Sequence, residues 1–343
     1  MSAAAPPRAV VLGCAGPELE SWERDFYAEQ DPLGFILFRR NCETPDQVRA
    51  LVEGLRASVG RDDAPVLIDQ EGGRVARLRP PHWQAVPAPA AIGAIAERDP
   101  EAAREAAWTQ GRLLAEELRP LGITVDCVPS LDLRFAWADA VIGDRSLGGD
   151  PTLVAALGRT LAEGLLSGGL LPVIKHAPGH GRATADSHEA MPRVETDRAE
   201  LAETDFAPFK ALADLPLGMT GHMLFTAIDP ERPATTSPVV IESVIRGEIA
   251  FDGLLFTDDL SMEALDGGVG ERAAGALAAG CDIALHCNGK REEMIAVCAA
   301  CGPMTARAQE RWHAALTWIA DSDPEPMDPA ALRSRLDALL QAQ

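Results

Sequence analysis

At 343 residues, with 47% hydrophobic and 24% charged side chains, the chain is long enough for a large core, and it has no run of about 18 uncharged apolar residues to cross a membrane. The net charge of −21, from 31 Lys+Arg against 52 Asp+Glu, argues against nucleic acid as a partner, because a phosphate backbone calls for a basic patch. Seven cysteines, an odd number, do not make a disulfide framework, and the N-terminal apolar run is too short for an export signal, so the expected compartment is the cytoplasm.

In chain order, residues 8–12 (RAVVL) and 34–38 (GFILF) read as buried strands, with a helical turn or two between them in 17–30. Residues 46–59 place Val48, Leu51, Leu55 and Val59 at helical spacing behind Thr44, a suitable N-cap. A third strand, 65–68, ends in the polar run DQEGGRVAR at 69–77. After the proline-rich 80–89, a long helix is expected over 100–118, then a fourth strand at 123–128 followed by Pro129, Ser130, Leu131 and Asp132. A helix over 152–166 leads to the fifth strand, 170–174, which ends at Lys175 and His176.

Pro178, Gly179 and Gly181 then break regular structure and begin a loop that carries His180, Asp186 and His188. A helix at 199–212, a sixth strand near 217–225 that ends around His222, and a helix at 238–249 follow. The seventh strand, 251–256, runs into Thr257-Asp258-Asp259; a helix at 271–279 and the eighth strand, 282–286, complete the alternation. Residues 290–343 read as helix, broken near Gly302 and at 321–329. Eight strands alternating with helices predict one (β/α)₈ barrel domain, a TIM barrel in the α/β class, spanning 1–343 with C-terminal helices from about 290. The alternative, a doubly wound Rossmann-type sheet, lacks a GxGxxG after any strand.

In such a barrel, strand ends converge on one mouth, which gathers Asp69, Asp132, Lys175, His176, His222, Asp258 and Asp259. A glycosidase needs a nucleophile or base on one side of the anomeric carbon and an acid on the other. Asp258 suits the first role, and the imidazole of His188, oriented by Asp186, suits acid/base work near neutral pH. Lys175, His176, Arg145, Arg77 and Asp69 would hold the hydroxyl and carbonyl groups of a polar ligand.

Four motifs, in order, carry a resemblance: DQEGGRV at 69–75, KH-x-PGHG at 175–181, DSH at 186–188 and FTDDLSM at 256–262. Together they resemble glycoside hydrolase family 3, and within it the bacterial β-N-acetylglucosaminidases, over roughly residues 32–287. The resemblance implies a single-domain barrel and a retaining double displacement in which Asp258 is the nucleophile, His188 the general acid/base and Asp186 its partner. Asp69, Arg77, Arg145, Lys175 and His176 match the family's sugar-binding positions. The implied substrate is a small molecule: terminal β-1,4-linked N-acetylglucosamine on 1,6-anhydro-N-acetylmuramic acid, with or without its peptide, in cytoplasmic peptidoglycan recycling. No cofactor and no metal are implied, and a monomer is expected. The alternatives are a phosphorylase on the same scaffold, a non-catalytic sugar-binding protein, and a metal-dependent hydrolase using His176, His180, Asp186 and His188.

For Asp259 the structural reading, an N-cap of the next helix, is preferred to catalysis. His180 and His222 read as supporting residues. Cys298 and Cys301 have redox or metal spacing, but they sit in an Ala-rich helical stretch and read as small core residues.

Overall fold

The computed structural model describes residues 5–138, 141–183, 191–320 and 324–342. Eight parallel strands close into a barrel in which each pairs with its sequence neighbours: β1 Arg8–Gly13, β2 Pro32–Leu37, β3 Val66–Ile68, β4 Val125–Asp126, β5 Leu171–Ala177, β6 Leu217–Thr220, β7 Leu254–Asp259 and β8 Ile283–His286. The ring closes where Val10, Val11 and Leu12 of β1 lie beside Ala284, Leu285 and His286 of β8. Strands in such a barrel are covered inside and out, so they are apolar on both faces. Both β2 and β5 are buried along their whole length.

The outer helices follow from amphipathic spacing and caps. In Pro45–Val59, Val48, Leu51, Val52 and Leu55 are buried, Thr44 accepts from the Gln47 N–H at 3.2 Å, and Gly60 ends the helix in the left-handed region. Inside the barrel, Val11, Leu67, Val173, Leu217 and Leu254 form one apolar cluster with Met304, Ala308, Trp312 and Ala315. Helix Ala306–Ala320 therefore plugs the foot of the barrel.

The barrel reading holds, with local corrections. The fourth strand is only two residues, because the Val128 N–H turns back to the Asp126 carbonyl at 2.8 Å and Pro129 has no N–H to donate, although the carbonyls of both still accept from β5. The expected sixth strand splits: β6 stops at Thr220, and Leu224–Phe225 pairs instead with Arg193–Val194. The helix expected over 199–212 is broken into Arg198–Glu203 and Ala207–Ala211, and Pro89–Ile95 adds a short helix not expected from sequence. Strands β5 and β7 run further than expected, so Lys175, His176, Asp258 and Asp259 lie in strand residues. No described helix is long and apolar enough to cross a membrane.

Candidate active site

The site is built from the exit of β3 outward. Gln70 donates its backbone N–H to Asp126 Oδ1 at 2.9 Å, while its side-chain Oε1 accepts from the N–H groups of Arg77 and Leu78 at 2.8 and 3.0 Å. The segment between is a tight hairpin, with Gly72 and Val75 bonded to each other in both directions. Gly72 sits at φ +101°, and a Cβ there would fall 2.1 Å from the Pro87 carbonyl, so the turn requires glycine. This hairpin returns Arg77 to Asp69 Oδ2 at 2.8 Å and lays its guanidinium over the Phe38 ring at 4.5 Å.

Consecutive strand residues point to opposite sides, yet Lys175 and His176 both line the cavity, across a peptide bond that is cis. Lys175 Nζ lies 2.7 Å from Asp69 Oδ1 and 2.7 Å from Glu71 Oε1. Arg145 grips Glu71 with Nε at 2.9 Å and Nη2 at 2.8 Å, a two-pronged contact that fixes the carboxylate plane. Burial alone would raise the Glu71 carboxyl, but Arg145 and Lys175 outweigh it and hold the pKa at about 2. Asp69, buried and facing Lys175 and Arg77, is likewise held well below the carboxylate range. Burial would discharge Lys175, and its two carboxylates instead raise its pKa, so it stays cationic. Beneath this cluster, Asp126 has one backbone donor on Oδ1, and among the described residues Oδ2 has none; burial pushes its pKa up to about 8.

On the other side of β5, Asp132 organises the histidines. Its Oδ2 lies 2.6 Å from His176 Nδ1, and its Oδ1 accepts the His180 N–H at 2.6 Å and the His176 N–H at 3.3 Å. With Nδ1–H given to Asp132, His176 Nε2 is left to accept from Arg145 Nη2 at 3.3 Å. Gly181 lets this loop close on the neighbouring chain, since a Cβ there would lie 2.1 Å from the Leu133 carbonyl. The buried His180 falls to about 4, by desolvation and then by the facing His176.

Asp258, the last residue but one of β7, faces the same cavity, with its side chain 17% exposed and Oδ2 4.0 Å from His176 Nε2. Burial would raise its pKa; His176, His222 and the Asp259 N–H, which donates to Oδ1 at 2.8 Å, lower it instead, so it is a carboxylate at neutral pH. Asp259 is used structurally. It accepts from Ser261 N–H and Oγ–H at 3.0 and 2.6 Å and from the Cys287 N–H at 3.1 Å. It therefore ties β7 to the residue after β8 and caps a turn, not the next helix, which begins at Val269. The buried His222 donates Nε2–H to the Asp259 carbonyl at 3.0 Å and accepts from Thr235 Oγ–H at 2.8 Å, which fixes the strand end from behind.

Six of the residues anticipated from sequence thus converge on one cavity of about 200 Å³: Asp69, Arg77, Arg145, Lys175, His176 and Asp258. Asp186 and His188 lie outside the described residues. Glu71 was not anticipated, although it stands two residues beyond Asp69 in a polar run, the spacing that brings side chains of an extended segment to one side. Among the described residues, no three His, Cys, Asp or Glu side chains are grouped to hold a metal ion. Cys298 and Cys301 are free thiols buried in the main core.

Residues 23–310 match the glycosyl hydrolase family 3 N-terminal domain. The chain is 40% identical over 283 residues to a protein named beta-hexosaminidase from Alkalilimnicola ehrlichii, covering 81% of this chain and 80% of that one. It is 38% identical over 293 residues to a beta-hexosaminidase of Pseudomonas aeruginosa, with coverage of 84% and 85%. Its fold matches NagZ from Neisseria gonorrhoeae, solved in complex with N-trifluoroacetyl-D-glucosamine, with a TM-score of 0.86 at 32% identity over 98% of this chain and 99% of that one. The chain belongs to glycosyl hydrolase family 3. It is a glycoside hydrolase built on the (β/α)₈ barrel described above.

Proposed function

We propose that this enzyme is a retaining β-N-acetylglucosaminidase that removes terminal β-1,4-linked N-acetylglucosamine from 1,6-anhydro-N-acetylmuramic acid, with or without its peptide, in cytoplasmic peptidoglycan recycling. One observation carries the chemistry. Among the carboxylates at the mouth, Asp69, Glu71 and Asp132 are each held by Lys, Arg or His at 2.6–2.9 Å, whereas Asp258 has a backbone N–H on one oxygen and a 4.0 Å approach from His176 on the other. A carboxylate held by such donors has its lone pairs engaged; Asp258 keeps an oxygen for attack.

On this reading Asp258 Oδ2 bonds to the anomeric carbon as the bond to the leaving oxygen breaks, and His188 gives that oxygen its proton. Water, deprotonated by the same imidazole, then attacks the anomeric carbon and returns the electron pair to Asp258. Asp186 orients His188. Asp69, Arg77, Arg145, Lys175 and His176 bind the sugar: Lys175 has three donors and spends two on Asp69 and Glu71, which leaves one for a hydroxyl. The small cavity suits one terminal sugar, below the roughly 300–1,000 Å³ of drug-sized pockets.

The test is p-nitrophenol release from p-nitrophenyl N-acetyl-β-glucosaminide by wild type, Asp258→Ala and His188→Ala, with EDTA and with added phosphate. The expected result is EDTA-insensitive hydrolysis, lowered about 10⁴-fold or more in Asp258→Ala and strongly reduced in His188→Ala. Activity lost to EDTA and restored by zinc would make it a metal-dependent hydrolase, and a sugar phosphate product would make it a phosphorylase.

A further inference from the structure

A cavity of about 200 Å³ holds one ring, so the leaving group must rest outside it, on the rim. One part of the rim is prepared for that. Val141, which lines the catalytic cavity, packs with Ile142 and Ala183 in a small apolar cluster. The residue before Ala183, Arg182, lines a second pocket of about 440 Å³ with Trp137, Arg193, Val194, Glu195 and Thr196. The Val141, Ile142 and Ala183 cluster thus links the wall of the catalytic cavity to the chain that lines the second pocket.

The second pocket has a rigid floor. Arg182 is held by Asp205 at 2.7 Å and by Glu200 at 2.8 Å, and its guanidinium lies 4.5 Å over the Phe135 ring. Phe135 in turn backs Trp137, with centroids 5.3 Å apart and planes tilted by 30°. Trp137 is nonetheless 60% exposed, so an indole braced from behind offers a free face to solvent. An aromatic face of this kind accepts the C–H face of a sugar ring. At the same pocket Arg193 is exposed, and among the described residues it has no ion pair. In a chain of net charge −21, an uncommitted guanidinium beside the catalytic mouth is a selective place for a carboxylate, which its planar fork can bind with two hydrogen bonds.

We propose that this pocket is the leaving-group subsite, with a sugar ring on Trp137 and a carboxylate of the leaving group on Arg193. The inference rests on the glycosidase reading above and adds to it the part of the enzyme that recognises an acidic leaving group. Two substrates with the same β-1,4 linkage separate the contributions: N-acetylglucosaminyl-1,6-anhydro-N-acetylmuramic acid, which carries a carboxylate, and N,N′-diacetylchitobiose, which does not. The readout is the ratio of their kcat/KM values.

Arg193→Gln lowers that ratio about tenfold, the loss expected for one charge-assisted contact, with chitobiose turnover changed less than twofold. Arg193→Lys recovers part of it. Trp137→Ala lowers kcat/KM on both disaccharides by a similar factor and leaves the ratio in place. A wild type that cleaves the muramyl substrate with a ratio unmoved by Arg193→Gln overturns the inference alone. A wild type that leaves the muramyl substrate intact while cleaving chitobiose contradicts the functional reading, and the inference with it.

Discussion

At the foot of the barrel, Met304, Ala308, Trp312 and Ala315 meet strand side chains that are almost wholly apolar, whereas the mouth packs Asp69, Glu71, Arg77, Arg145 and Lys175 against one another. Both ends are buried, but they are stabilised differently. The foot gains from area removed from water, about 25 cal/mol per Å², and any apolar group of the right volume serves. The mouth has paid the desolvation of every charge, and each remains tolerable only while its partner is present. Stability and turnover should therefore come apart at the foot and fall together at the mouth.

The largest effect is expected at Lys175, which serves two buried carboxylates at once. Lys175→Met should cost about 3–5 kcal/mol of unfolding free energy in denaturant titrations, and kcat/KM should drop with it. The pH dependence gives a second readout. Glu71 is held at about 2 against 4.5 in the open chain, so its contribution is present above about pH 4.5 and is lost as pH falls towards 2. Lys175→Met should flatten that acid limb, and an unchanged limb would mean that Arg145 alone holds Glu71.

Trp312→Ala comes next, at roughly 3 kcal/mol, with kcat/KM of the remaining folded enzyme unchanged within twofold. A matching loss of turnover would show that the foot is coupled to the site and would break the comparison. Asp132→Asn sharpens it at the mouth. The amide keeps the shape but not the charge that faces His176, so kcat/KM should fall roughly 10- to 100-fold and the denaturation midpoint should fall with it.

The same contrast explains what the sequence made legible. Apolar runs ending in charge, at Ile174-Lys175 and Phe256-Thr257-Asp258, marked both the strands and the mouth, because a parallel strand is apolar until it leaves the barrel. The hairpin after β3 is polar throughout, so Asp69 stood out as a strand end while Glu71, which binds Arg145 and Lys175, did not. Strand β6 was drawn too long because Met223, Leu224 and Phe225 stay apolar past Gly221; their pairing with Arg193–Val194 depends on distant chain. Pro89–Ile95 was hidden by the prolines before it, although proline at a first helical position is favourable.

The central claim is that Asp258 becomes covalently glycosylated, and trapping that adduct tests it most directly. Enzyme treated with a 5-fluoro-N-acetyl-β-glucosaminyl fluoride would be digested and its peptides weighed. The account predicts one fluorosugar on the peptide containing Asp258, lost in Asp258→Ala, with β-configured N-acetylglucosamine as the first product of normal turnover by NMR. An α-configured first product, or a label on Asp69 or Glu71 with Asp258 unmodified, would contradict it.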